Sequence, residues 1–147
     1  MSMNRNHNHN KSYPLILIVA EDSALRRALQ DIFEFTGYAT LAAPSAREGL
    51  KALSSLALPP DLIISDLLMD SDLFHQAVRA QEMWRDIPFI FLTSQTQARS
   101  SADRHIRRPD RTISLSKPFP VDDLLAFVAR FTNGAGNSNV PSFTETA

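Results

Sequence analysis

Reactive side chains recur in this 147-residue chain at the ends of apolar runs. Glu21 and Asp22 follow LILIVA, Asp66 follows LIIS, Thr93 and Ser94 follow FIFL, and Lys117 with Pro118 follows TISLS. Carboxylates gathered in one place repel one another unless a cation intervenes. The donors here are oxygens, and the chain has no Cys, so a hard cation suits them; Mg2+ is the natural choice beside a phosphate. Lys117 offers a point charge to a phosphoryl oxygen or a carboxylate. The Thr93 hydroxyl can donate to the same group. Such a set could accept a phosphoryl group on a carboxylate, with metal and lysine neutralising the charge.

That chemistry needs elements that converge. LILIVA (15–20) is an apolar run of the kind found in strands buried on both faces. In the next segment Leu25, Leu29, Ile32 and Phe33 fall at helical spacing, with Asp22 or Ser23 to cap the start and Gly37 to end it in the left-handed conformation. ATLAA (39–43) is a short strand, and Ser45 with Glu48 has capping-box spacing before the second helix. Pro59 and Pro60 stop that helix from running on. LIIS (62–65) leads to Asp66, a helix is expected over 73–83 with Phe74, Ala77 and Val78 inward, and PFIFLT (88–93) is the fourth strand. A weakly patterned helix over 97–106, the strand TISLS (112–116) and an amphipathic helix over 121–131 complete the run. Five strand–helix units imply a parallel sheet with helices on both faces. In such sheets the working crevice lies at the carboxyl ends of the strands.

Bulk properties agree with one domain. Apolar residues make up 44% and charged residues 21%, ordinary values for a soluble globular chain. A net charge of −1 provides no overall field toward nucleic acid or anionic membrane. The opening residues lack the apolar core of a signal peptide, and no early apolar run is long enough to span a bilayer. A soluble, cytoplasmic protein is expected. Residues 1–12 and 133–147 are polar and read as a disordered N-terminal segment and a flexible tail or linker, leaving 13–132 as the domain.

Residue by residue, the set resembles the receiver domain of two-component response regulators, close to the chemotaxis-regulator type. The acidic pair Glu21–Asp22, the acceptor Asp66, Thr93, and Lys117–Pro118 occur in that family's order. The resemblance implies a flavodoxin-like, doubly wound sheet of strand order 2-1-3-4-5. It implies phosphoryl transfer from a histidine kinase or phosphotransfer protein to Asp66, self-catalysed rather than enzymatic turnover of a separate substrate. It implies Mg2+ held by Asp22, Asp66 and the backbone carbonyl of Leu68, with Glu21 acting indirectly through water. Thr93 and Lys117 would contact the phosphate. Output would pass to a downstream protein partner through the helix over 97–106, the strand 112–116 and the last helix, a face that could also form a homodimer.

Several positions depart from the family pattern, among them RRPDRT where Gly-Ala is usual before the last strand. Asp70 stands where Pro is usual and the following Gly is missing; Ser114 stands where an aromatic switch residue is usual, three positions before Lys117. These departures raise an alternative, a degenerate receiver that acts as an unphosphorylated interaction module. Enzyme readings fare worse. The turn AEDSAL has no glycines to cradle a pyrophosphate, and Leu68 stands where an aspartyl phosphatase of the haloacid dehalogenase type wants a second Asp. Arg99, Arg104, Arg107, Arg108 and Arg111 alternate with acids and read as a solvated or partner face rather than a nucleic-acid patch. Met83 and Trp84 read as packing residues, and His7 and His9 as tail residues.

Overall fold

The computed structural model describes residues 13–68, 70–94, 107–108 and 111–132. Its elements are β1 (Leu15–Ala20), α1 (Ser23–Phe35), β2 (Ala39–Ala43), α2 (Ala46–Ser55), β3 (Leu62–Asp66), α3 (Ser71–Ala80), a short 3-10 turn (Glu82–Trp84), β4 (Phe89–Thr93), β5 (Arg107–Arg108), β6 (Thr112–Ser116) and α4 (Val121–Thr132). The sheet runs β2-β1-β3-β4-β6-β5. The first five strands in that row pair in parallel, giving the doubly wound order expected from the sequence. The two-residue β5 is an addition: it pairs antiparallel along the outer edge of β6. The helix expected over 97–106 lies outside the described residues, as do residues 1–12 and 133–147.

Alternation along the strands splits the core in two. Ile16, Ile18, Ala20, Leu62, Ile64, Ile90, Leu92, Ile113 and Leu115 face one way and pack against Leu29 and Phe33 of α1 and Leu124 and Val128 of α4. Leu17, Val19, Ile63, Phe89 and Phe91 face the other way, against Leu53 of α2 and Phe74 and Val78 of α3. Strands covered on both sides favour apolar residues, which is why β1 reads as an unbroken apolar run and β3 is apolar up to Ser65 and Asp66. Gly49 lets α2 lie close to the sheet: a Cβ there would sit 2.9 Å from a Val19 methyl and 3.2 Å from the Phe74 ring.

Local signals account for three of the helix ends. Asp22 caps α1, its side chain accepting from the Ala24 N–H at 3.0 Å, and Gly37 takes φ 102° just past the helix end. Ser45 Oγ accepts from the Glu48 N–H at 3.1 Å at the start of α2. The expected 73–83 helix is corrected at both ends. It begins at Ser71, after Asp70 in the left-handed conformation with no side-chain cap bond, and it stops at Ala80 because Gln81 is extended. Residues 82–84 form a separate turn. Trp84 packs against the second core cluster, as expected, but Met83 is 59% exposed and is not a packing residue. No helix among the described residues is long and apolar enough to cross a membrane.

Candidate functional site

Asp66 closes β3, a strand flanked by β1 and β4, and is only 8% exposed. Its charge is met from across β4. The Lys117 N–H donates to the Thr93 carbonyl at 2.7 Å, which ties the exit of β6 to the exit of β4. From there Nζ reaches both Asp66 carboxylate oxygens at 3.1 Å. Lys117 keeps 34% of its side chain exposed, so the pair sits at the mouth of the crevice rather than deep in the core. Pro118 follows through a cis peptide bond. Ser94, Lys117, Pro118 and Phe119 line a shallow hollow beside the pair.

Thr93 ends β4, between the strands that carry Asp66 and Lys117. Its Oγ1 is buried and lacks a hydrogen-bond partner, and the same holds for Ser65 Oγ. A buried hydroxyl without a partner costs about 1–3 kcal/mol. Ser65 sits abreast of Phe91, inside the sheet, whereas Thr93 is the last residue of its strand. The orphan at Thr93 is therefore the one placed to meet a group arriving at the crevice.

The acidic pair arrives differently from the other members. The β1 residue in register with Asp66 is Ala20, fully buried in the core. Glu21 and Asp22 lie beyond it, exposed, on the turn into α1. The Glu21 N–H donates to the Asp66 carbonyl at 3.3 Å, which holds the turn beside Asp66. Asp22 commits one carboxylate oxygen to the α1 cap. Among the described residues no three His, Cys, Asp or Glu side chains come close enough together to hold a metal ion.

Leu68 lies two residues past Asp66 and is 65% exposed at the same edge. Ser114, at the expected switch position, is buried on β6 abreast of Phe91. The structure also supplies one residue that the sequence offered no reason to single out. Arg26 Nη1 turns back from α1 to the carbonyls of Ala20, at 2.8 Å, and Glu21, at 3.4 Å. An arginine one turn into a helix carries no signal of that role.

Comparison with known proteins converges on one family. The sequence model of the response regulator receiver domain matches residues 16–129. The chain is 30% identical over 139 residues to the response regulator MprA of Mycolicibacterium vanbaalenii, covering 88% of this chain and 58% of that protein. It is 35% identical over 114 residues to the KDP operon transcriptional regulatory protein KdpE of Escherichia coli, covering 76% and 48%. The chain thus spans about half the length of the curated relatives it matches. Among solved structures, the signal receiver domain of a signal transduction histidine kinase from Syntrophus aciditrophicus aligns with a TM-score of 0.66 at 28% identity, covering 85% of this chain and 94% of that one. The chemotaxis response regulator CheY4 of Vibrio cholerae aligns with a TM-score of 0.67 at 24% identity, covering 82% and 99%, a likeness of fold.

Proposed function

Because the chain belongs to the response regulator receiver domain family of two-component signalling, we propose that it takes a phosphoryl group from a histidine kinase or phosphotransfer protein onto Asp66 and signals through protein–protein contacts. The observation that carries this reading is the Asp66–Lys117 pair: a nearly buried carboxylate at the carboxyl edge of the sheet, with one ammonium on both its oxygens. An Asp66 oxygen attacks the phosphorus of the donor phosphohistidine. The new O–P bond forms as the P–N bond breaks, and the departing imidazole nitrogen keeps the electron pair. Lys117 then has two acceptors to choose between, the aspartyl carbonyl oxygen and the phosphoryl oxygens, and holds the new charge in place. The unpartnered Thr93 hydroxyl donates to the phosphoryl group.

The donors at this edge fit Mg2+. Asp22, Asp66 and the carbonyl of Leu68 would hold it, with Glu21 bound through water. When bound, it neutralises phosphoryl charge during transfer. Residues 13–132 form the receiver, which modifies itself and turns over no separate substrate, and residues 1–12 and 133–147 flank it in a cytoplasmic protein. The downstream partner, or a second copy of the chain, would meet β6, α4 and the 97–106 segment.

A second reading has its own support. Ala20 sits abreast of the acceptor, no three-acid cluster forms among the described residues, and Ser114 and Asp70 depart from the family pattern. These features suit a receiver that binds its partner without being phosphorylated. The phosphoryl mimic beryllofluoride separates the two. With Mg2+, the wild type should show a bound 19F resonance that Asp66→Asn lacks. A wild type with no bound resonance favours the unphosphorylated module.

A further inference from the structure

The acids that accompany Asp66 are not placed by the sheet. Strand register ends with Ala20 opposite Asp66, so Glu21 and Asp22 depend on the turn between β1 and α1. Three sets of hydrogen bonds fix that turn. The Glu21 N–H reaches the Asp66 carbonyl at 3.3 Å, and Asp22 caps α1 through the Ala24 N–H at 3.0 Å. The third set belongs to Arg26. Its own N–H donates to the Asp22 carbonyl at 2.9 Å in the first turn of α1. Its guanidinium, half-buried, then reaches back to the Ala20 and Glu21 carbonyls at 2.8 and 3.4 Å. A single side chain thus joins the last carbonyl of the strand to the first carbonyl of the turn.

We propose that Arg26 is a positioning residue for the divalent cation at the phosphoacceptor site, holding the β1–α1 turn in the shape that presents Glu21 and Asp22 beside Asp66. The inference rests on the phosphoacceptor reading of that site. Residues that orient metal ligands without touching the metal are worth about 10–100-fold in affinity. Arg26 also brings positive charge near the acids, which by itself opposes cation binding. The two contributions have opposite signs, so one measurement separates them. If the hydrogen bonds dominate, removing the side chain weakens the cation; if the charge dominates, removal tightens it.

The experiment is titration of Mg2+ alone, by calorimetry, into the full chain of wild type, Arg26→Ala, Arg26→Lys and Asp66→Asn, with melting curves for each. The expected result is a loss of about tenfold in Mg2+ affinity for Arg26→Ala. Arg26→Lys, which keeps N–H donors on a long stem, should recover most of that loss. Arg26→Met, with the stem but no donors, gives the same reading as Arg26→Ala should the alanine variant not fold. Unchanged or tighter Mg2+ binding by the donor-less variants overturns the inference, and it leaves the phosphoacceptor reading standing if the wild type still takes a phosphoryl adduct on Asp66. A wild type that binds no Mg2+ overturns the inference and the metal assignment together.

Discussion

Lys117 Nζ stands 3.1 Å from both carboxylate oxygens of Asp66, having crossed the end of β4 to reach them. The carboxylate is 8% exposed and the lysine 34%, so the acid depends on the lysine more than the lysine depends on the acid.

That asymmetry sets the stability of variants. Lys117→Ala leaves a nearly buried carboxylate unpaired and should cost about 1–2 kcal/mol, below the range for fully buried pairs because water reaches the lysine. Asp66→Asn removes the buried charge and should leave the fold intact. In the double variant most of the lysine's cost should vanish, a coupling of about 1 kcal/mol in a urea-denaturation cycle. Strictly additive effects would contradict the pairing.

Thr93 and Ser65 each bury a hydroxyl without a partner, yet their expected roles differ. Thr93→Val and Ser65→Ala should both be neutral or stabilising, by up to about 1 kcal/mol, because each removes an unsatisfied group. Phosphoryl uptake from a small donor should slow markedly in Thr93→Val and stay unchanged in Ser65→Ala. Equal uptake rates for the two would remove Thr93 from the site.

Gly49 marks where α2 presses on the sheet. Gly49→Ala places a methyl 2.9 Å from Val19 and 3.2 Å from Phe74. Overpacking of this kind costs about 1–3 kcal/mol, and the better helix propensity of Ala offsets at most about 1 kcal/mol of it. A net loss in urea midpoint is expected, with phosphoryl uptake at Asp66 retained.

Ser114 sits 9% exposed abreast of Phe91. Placing a ring at this buried position with Ser114→Tyr should destabilise by about 1–3 kcal/mol through overpacking. Phosphoryl uptake should persist, measured by intact mass, because Ser114 lies two strands from Asp66, with β4 between them. Abolished uptake in a folded Ser114→Tyr would show that the acceptor site depends on this position.

The parallel strands were legible because burial on both faces favours apolar runs, as in 15–20 and 62–64. Caps at Asp22 and Ser45 were legible because a side-chain oxygen makes the bond. The start of α3 was not, because Asp70 adopts a left-handed conformation without a cap bond, and its end was not, because an extended Gln81 has no sequence signature. A two-residue strand such as β5 is too short to show any period. For the site, residue types and spacing were enough to group Asp66, Thr93 and Lys117, each at a strand end. Strand register was the missing quantity. That Ala20, and not an acid, lies beside Asp66 comes from how β1 and β3 pair, and the role of Arg26 comes from that register in turn.

Asp66 as the phosphoacceptor is tested most directly by intact mass. Wild type and Asp66→Asn would be incubated with Mg2+ and acetyl phosphate and weighed. A single phosphoryl adduct is expected on the wild type and none on the variant. An adduct on both would place the acceptor elsewhere, and no adduct on a folded wild type would contradict phosphorylation at Asp66 in favour of an unphosphorylated interaction module.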